Sequence, residues 1–439
     1  MSARPRLTVI GTGYLGATHA VCMAELGFEV LGLDVEQSKV DRLSKGEVPF
    51  FEPGLPELLR KNLDTGRLRF TTSYEEVGAF GDVHFLCVGT PQKKGEMAAD
   101  MAYVDAAFTS LIPHLREGAL IAGKSTVPAG TAERLAAQLE HDSTVSAELA
   151  WNPEFLREGF AVEDTLTPDR LVFGVQSARA EQLLRDAFAP VIDIPTPVVV
   201  TDFATAQLVK VAANAFLATK ISFINAMAEV CEATGGDVTM LSKALSHDTR
   251  IGGRFLHAGL GFGGGCLPKD IRAFMARAGE LGVDQALSFL KEVDAINLRR
   301  RARMVDLARE VAGGSFGGMK VAVLGAAFKP NSDDIRDSPA LDVAATIQKQ
   351  GAAVCVYDPQ AMENARLLHP ELGYRESALE AARGADLVLH LTEWAEFVQM
   401  DPNVLGEVVA GKHIVDGRNA LDPVAWRAAG WTYRALGRP

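Results

Sequence analysis

The chain has 439 residues, with 44 Lys and Arg against 56 Asp and Glu, for a formal net charge of −12. That length exceeds what one hydrophobic core usually supports, and a 48% hydrophobic, 23% charged composition excludes a largely disordered chain. The acidic surplus argues against a nucleic-acid binder but leaves room for a small phosphorylated ligand held by a few local cations.

Arg4 and Arg6 precede a short apolar run at 7–10, which reads as a first buried strand and not as a signal peptide. A glycine loop follows at 11–16, then a helical run at 17–26 and a second strand at 28–33 that ends in Asp34. Further strand-like runs lie at 83–88, 120–122 and 171–173 with helical spacings between them, which predicts a doubly wound parallel sheet. Residues 203–233 hold no Pro or Gly and repeat apolar residues at helical spacing, so one long helix is expected, ended by Gly235-Gly236. That helix is apolar on more than one face, too much for one domain's core, and predicts a homodimer or higher homo-oligomer. No stretch offers 18 uncharged apolar residues, so no membrane span is expected. Helical segments continue to 310, and glycines 313, 314, 317 and 318 mark a linker. Strand-like runs at 321–325, 353–358, 385–391 and 412–416 then restart the α/β pattern. The expected architecture is α/β, with two Rossmann-like doubly wound domains (1–196 and 313–439) flanking a central helical dimerisation region at 197–312.

The loop Gly11-Thr12-Gly13-Tyr14-Leu15-Gly16 follows a strand, opens a helix and is followed by an acidic residue 18 positions after Gly16. In that context GxGxxG is a dinucleotide fingerprint. Gly11 serves the tight turn, Gly13 the approach of backbone to a pyrophosphate, and Gly16 close helix–strand packing, with the helix N-terminus turned to the phosphates. Asp34 can accept from both ribose hydroxyls and repels a 2′-phosphate, which favours NAD over NADP; Lys39 works the other way, as a nearby cation. The second α/β domain has Gly325-Ala326-Ala327-Phe328-Lys329 where a fingerprint would sit, and it is expected to bind something other than NAD.

Five cysteines without a CxxC pair argue against a disulfide framework or a metal site and suit a reducing, cytoplasmic setting. Cys22, Cys87, Cys231 and Cys355 read as small core residues. Cys266 differs, because Gly261, Gly263, Gly264 and Gly265 expose it as a candidate nucleophile, with Asp270 in reach if the chain turns helical after Pro268. Lys210 and Asn214 share one face of the long helix, and a cation beside an amide suits a developing oxyanion. Glu154 and Glu158, four apart in what reads as the start of an amphipathic helix, offer a general base and a second, orienting or cofactor-contacting carboxylate. Thr126, in Lys124-Ser125-Thr126-Val127-Pro128, supplies a hydroxyl at a strand end on the cofactor side.

These segments, together with 328–336, occur in the order found in the UDP-glucose 6-dehydrogenase family and resemble the wider nucleotide-sugar 6-dehydrogenases. The resemblance spans almost the whole chain. It implies an N-terminal NAD domain, a helical dimerisation core and a C-terminal domain that grips a nucleotide sugar. It also implies two successive NAD-dependent oxidations of a primary alcohol to a carboxylate. In that scheme Cys266 captures the aldehyde as a thiohemiacetal and becomes a thioester that water hydrolyses. Lys210 and Asn214 steady oxyanions, Asp270 and Thr126 position a water, and Glu154 is the base. By the same resemblance Gly11, Gly13, Tyr14, Leu15, Gly16, Asp34, Lys39, Thr90, Thr126, Glu158 and Arg336 contact NAD. Phe155, Leu156, Arg157, Lys210, Asn214, Arg250, Phe255, Gly263, Phe328, Lys329 and Arg418 contact the sugar nucleotide, Arg250 by reaching into a neighbouring subunit. Gly265 stands where many relatives have Ser. The segments 152–159 and 250–270 favour UDP-glucose; TDP-glucose, GDP-mannose and UDP-N-acetylmannosamine are the alternatives. An ordinary two-electron dehydrogenase, which needs no Cys266, is the rival enzyme class.

Overall fold

The computed structural model describes residues 4–439. The chain divides into two compact units: the stretch through Ala213 with Arg272–Gly282, and Asn214–Ile271 with Val283–Pro439. Each unit carries one sheet.

In the first unit eight strands form one sheet: β1 (Leu7–Ile10), β2 (Val30–Leu33), β3 (Leu68–Thr71), β4 (Val83–Leu86), β5 (Leu120–Gly123), β6 (Glu148–Trp151), β7 (Leu171–Gly174) and β8 (Val198–Thr201). Their order is β3-β2-β1-β4-β5-β6-β7-β8. All neighbours are parallel except β6 and β7, which meet antiparallel at Trp151 and Gly174. The parallel arrangement follows from the strands' composition: β1, β2, β4, β5 and β7 are buried at every residue, so helices must cover both faces. Alternate side chains feed two cores. Leu7, Val9 and Phe85 pack in one with Phe173 and Phe188, while Ile10, Leu31 and Leu86 pack in the other with Phe108 and Trp151. The strand order reverses between β1 and β4, and the crevice at their carboxyl ends is where a ligand binds in such sheets.

Three strands of this sheet, β3, β6 and β8, lie outside the strand runs read from the sequence: β3 alternates Leu68-Arg69-Phe70-Thr71, and β6 and β8 carry only three consecutive apolar residues each. β8 is an edge strand with Val199 and Val200 exposed, and it carries the sheet past residue 196. Residues 152–158 are not helical: the chain leaves β6 without regular structure, turns at 158–159, and the next helix is Ala161–Leu166. Pro153 keeps Asn152 out of helical backbone, and beyond it the Leu156 N–H is taken by Glu154 Oε2 at 2.6 Å.

The long helix runs Phe203–Thr234 and stops where the glycines stand. Gly235 is left-handed at φ 76°, and the Gly236 N–H reaches back to the Cys231 carbonyl at 3.0 Å. Among the described residues it is the one helix long and apolar enough, by length and composition, to cross a membrane. Its buried polar residues are spent on protein partners: Ser222 Oγ donates to the Val293 carbonyl at 2.7 Å, and Asn225 Oδ1 accepts from the Gly259 N–H at 2.9 Å. Phe216, Phe223 and Val230, seven apart, are at least half exposed.

The second unit carries a parallel sheet of β9 (Lys320–Leu324), β10 (Ala353–Tyr357), β11 (Gly373–Tyr374), β12 (Leu387–His390), β13 (His413–Asp416) and β14 (Thr432–Ala435), in the order β11-β10-β9-β12-β13-β14. It repeats the reversal around its first strand. Gly313, Gly314 and Gly318 all have positive φ before β9, as a turn-rich linker requires.

Candidate active site

At the end of β1 the three fingerprint glycines divide the work. Gly11 sits at φ 86°, closed to most side chains. A Cβ on Gly16 would overlap the Gly11 carbonyl, so the helix Tyr14–Glu25 lies against the turn only because residue 16 has none. A Cβ on Gly13 would meet nothing within 4 Å. That open, exposed backbone at a helix N-terminus is the cradle a pyrophosphate needs, so these residues fit NAD. Asp34, at the tip of β2, is buried; its Oδ2 accepts from the Thr12 N–H at 2.9 Å and the Thr12 hydroxyl at 3.1 Å. Lys39 Nζ lies 2.7 Å from Glu36 Oε1 and 3.9 Å from Asp34 Oδ1. Its charge is therefore answered by two carboxylates, which leaves the ribose end net negative.

Beyond β5 and β6 the same unit gathers the expected polar residues. Lys210 Nζ and Glu154 Oε1 form a buried ion pair at 2.9 Å, and Glu154 Oε2 accepts from the Leu156 N–H at 2.6 Å. The Phe155 ring lies 5.8 Å from Lys210 Nζ and is covered on its face by Arg170 at 3.7 Å. The Thr90 hydroxyl donates to the Thr126 carbonyl at 2.8 Å, fastening the loop after β4 to the loop after β5. Lys124 is buried between the rings of Phe85 and Phe188, at 5.7 and 5.4 Å, and donates to Asn152 Oδ1 at 2.9 Å. Burial lowers its ammonium to about 8. Arg157 is half-exposed and held by Asp164 through Nε at 2.9 Å and Nη2 at 2.5 Å. Glu52, which no motif pointed out, is buried and accepts from Tyr14, Gly159 and Ala161.

In the second unit the glycines of the cysteine loop each yield to one neighbour. Gly261, at φ 93°, makes way for Asn297, whose amide bonds both the N–H and the carbonyl of Phe262 at 2.7 and 3.0 Å. A Cβ on Gly263 would strike the Asp337 carbonyl, one on Gly264 the Phe328 ring at 2.8 Å, and one on Gly265 the Arg336 guanidinium. Cys266 is exposed, and its carbonyl accepts the first bond of the helix Leu267–Glu280 from the Asp270 N–H at 2.9 Å. Asp270 is buried, with Asn214 Nδ2 and Lys269 Nζ each donating to it at 2.6 Å. Cys22, Cys87 and Cys231 are buried and Cys355 is half-buried; all five cysteines are thiols.

Three family models cover most of the chain. The NAD-binding domain of the UDP-glucose/GDP-mannose dehydrogenase family matches residues 5–192, its central domain 204–299 and its UDP-binding domain 322–423. The chain belongs to this UDP-glucose/GDP-mannose dehydrogenase family. It is an NAD-dependent oxidoreductase. A UDP-glucose 6-dehydrogenase of Rhizobium meliloti is 40% identical over 99% of this chain and 100% of its own length. Another, YwqF of Bacillus subtilis, is 40% identical over 98% of this chain and 97% of its own. The structure of a UDP-glucose dehydrogenase from Pyrobaculum islandicum superposes with a TM-score of 0.91 at 39% identity, covering 100% of this chain and 99% of that one.

The family's division into an NAD domain and a UDP domain has a physical basis in this chain. Asp358, at the tip of β10, stands where Asp34 stands after β2. Its Oδ2 accepts from the N–H groups of Ala326 and Ala327 at 2.7 and 2.9 Å and from Trp394 Nε1 at 3.0 Å. Its Oδ1 accepts from Gln360 and Ala361, both at 2.9 Å. Five donors saturate a carboxylate that is 1% exposed, so Asp358 has no lone pair left to offer a ribose.

The other residues that the resemblance points to, Arg336 for NAD and the rest for a sugar nucleotide, are placed as follows. Arg418 spends Nε on the Leu391 carbonyl at 2.7 Å, Nη1 on Gly261 at 3.1 Å and Nη2 on Phe328 at 2.9 Å. It thereby ties the cysteine loop to the loop after β9. Lys329 Nζ lies 5.4 Å from the Phe328 ring. Arg336 is held by Asp334 at 2.7 Å. Phe255 is left-handed at φ 65°, a costly conformation for an aromatic residue. Arg250 is largely exposed and paired with Asp248 at 2.6 Å.

Proposed function

We propose that this oxidoreductase converts UDP-glucose to UDP-glucuronate by two successive oxidations at one carbon, through a covalent bond to Cys266. Full-length similarity to UDP-glucose 6-dehydrogenases supports the substrate. The exposed Cys266 at a helix start, one turn from the buried Asn214–Asp270 pair, supports the covalent step.

NAD, when bound at Gly11–Gly16 and Asp34, supplies the hydride acceptor for both oxidations. The residues of the chain do the rest. Cys266 adds to the aldehyde carbon, so that the reactive aldehyde is never released. The first-turn N–H groups of the helix after Cys266 favour negative charge on its sulfur. Lys210 and Asn214 steady the oxyanions that form and collapse at the reacting carbon. Asp270 and Thr126 place a water, Glu154 takes its proton, and the acid leaves as Cys266 is restored. Two hydrides leave the carbon, and one oxygen from water enters it. Lys329 answers the substrate's pyrophosphate as a cation, and Phe255 packs on its base.

The exposed stripe Phe216, Phe223, Val230 supports a homodimer that buries it, with Arg250 serving the neighbouring subunit. A cytoplasmic enzyme with this helix at a subunit contact, and not in a bilayer, fits the charged Lys210 and Lys220 along it. Turnover on UDP-glucose, TDP-glucose, GDP-mannose and UDP-N-acetylmannosamine tests the substrate: UDP-glucose is expected to give the highest kcat/KM, and a better rival displaces it. Sedimentation at micromolar concentration is expected to show at least a dimer; a monomer contradicts the assembly.

A further inference from the structure

Glu52 lies in the loop before the helix Leu55–Asp64, outside the cofactor, cysteine and nucleotide-sugar motifs. It is 2% exposed, and a carboxylate is seldom buried so deeply unless its lone pairs are answered. Here they are answered by two segments far apart in sequence. The Tyr14 hydroxyl donates to Oε2 from the first residue of the dinucleotide helix. The Gly159 N–H donates to the same oxygen at 2.7 Å and the Ala161 N–H to Oε1 at 2.7 Å, both just past Glu158. The Gly159 N–H also points at the Tyr14 oxygen at 3.2 Å, which closes the triangle. The Tyr14 ring is braced by Phe50 at 4.9 Å, on the approach to Glu52. Burial, and then the bond to Glu52, push the Tyr14 phenol far above its ordinary value, with the charge of nearby Glu158 adding to the rise, so Tyr14 stays a donor at every pH of interest.

We propose that Glu52 is a positioning residue that fixes the Glu154–Glu158 segment to the NAD loop, so that seating the cofactor and aiming the hydrolytic base are one event. The chain needs such a tie because 152–158 has neither a helical nor a strand ladder of its own to hold it. Tyr14 cannot shift toward or away from the pyrophosphate cradle without pulling on Gly159, and the carboxylate that holds both is out of reach of water. The role rests on the assignment of Glu154 as base and Glu158 as cofactor contact.

The test uses the full chain with Glu52→Gln, which keeps the size but turns one acceptor into a donor, and with Tyr14→Phe, which removes one hydroxyl and leaves both backbone bonds in place. NAD affinity is read by calorimetry, and the two half-reactions by rapid mixing with UDP-glucose. Glu52→Gln is expected to weaken NAD binding about tenfold, the scale of one charge-assisted bond, and to slow thioester hydrolysis. KM for UDP-glucose and the rate of the first oxidation at saturating NAD are expected to hold. Tyr14→Phe is expected to weaken NAD several-fold, and the double variant to be no worse than Glu52→Gln. A merely structural Glu52 lowers the melting temperature without that split. If Glu52→Gln does not fold, Tyr14→Phe decides alone. Native-like NAD affinity and hydrolysis in a folded variant overturn the positioning role while leaving the proposed reaction standing; a wild-type chain that binds no NAD overturns both.

Discussion

Lys210 Nζ lies 2.9 Å from Glu154 Oε1, with 7% and 13% of the two side chains exposed. The cation assigned to the oxyanion and the carboxylate assigned to the water are thus each other's partner in this conformation. Removing either alone strands a buried charge, which costs more than the pair contributes.

Lys210→Met is therefore expected to lose about 3–5 kcal/mol of stability along with activity, and pairing it with Glu154→Gln to recover most of that loss. Glu154→Gln alone is expected to leave the first oxidation nearly intact and to slow thioester hydrolysis by about 10²–10⁴-fold. Denaturant titration and rapid-quench detection of the acyl-enzyme check both; equal loss in the two half-reactions contradicts the assignment of the base.

Cofactor choice follows from Asp34, Glu36 and Lys39. Lys39 is held by Glu36 at 2.7 Å and lies 3.9 Å from Asp34, so its charge is already answered where a 2′-phosphate would need it. The kcat/KM for NADP is expected to fall about 100-fold or more below that for NAD, roughly 2.7 kcal/mol, and Asp34→Ala to narrow the gap. Comparable rates with both cofactors in the wild type contradict this.

Neighbouring glycines are expected to respond differently to a methyl group. At Gly263 a Cβ meets the fixed Asp337 carbonyl and Pro339 at 2.8 Å, so Gly263→Ala is expected to cost about 1–3 kcal/mol. At Gly265 it meets the far end of Arg336, which can swing aside, so Gly265→Ala is expected to cost under about 1 kcal/mol. Urea midpoints decide, and equal losses contradict the loop geometry.

Lys124 sets a pH dependence. Burial lowers its ammonium from 10.5 to about 8. A lysine whose folded value lies below its unfolded one opposes folding while charged, so the penalty is complete below about pH 8 and is relieved as pH rises toward 10.5. The stability of wild type relative to Lys124→Met is therefore expected to improve between about pH 7 and pH 9.5, whatever constant offset the lost bond to Asn152 adds. A difference that is flat with pH in chemical denaturation contradicts a charged, buried Lys124.

Legibility in the sequence tracked burial and spacing. β1, β2, β4, β5 and β7 are buried throughout, so their apolar runs are continuous and readable, whereas β3 offers a single four-residue alternation and the Val198–Val200 run of β8 follows Pro195 and Pro197, which read as a turn. The long helix was readable to within a residue because glycines end it. Glu154 and Glu158 were readable as a pair, but the four-residue spacing pointed to a helix that does not form there. The Asn214–Asp270 contact joins residues 56 apart, a distance no local pattern carries. Glu52, Asn297 and Asp358 were missed for a related reason: each is a lone polar residue whose meaning comes from backbone N–H groups brought to it by the fold.

The central claim is covalent, four-electron oxidation at Cys266, and its most direct test is the number of NADH formed per UDP-glucose consumed, in wild type and in Cys266→Ser. Two NADH per sugar in wild type, with at most a stalled trace in the variant, is the predicted result. One NADH per sugar, or a variant that turns over like wild type, contradicts it.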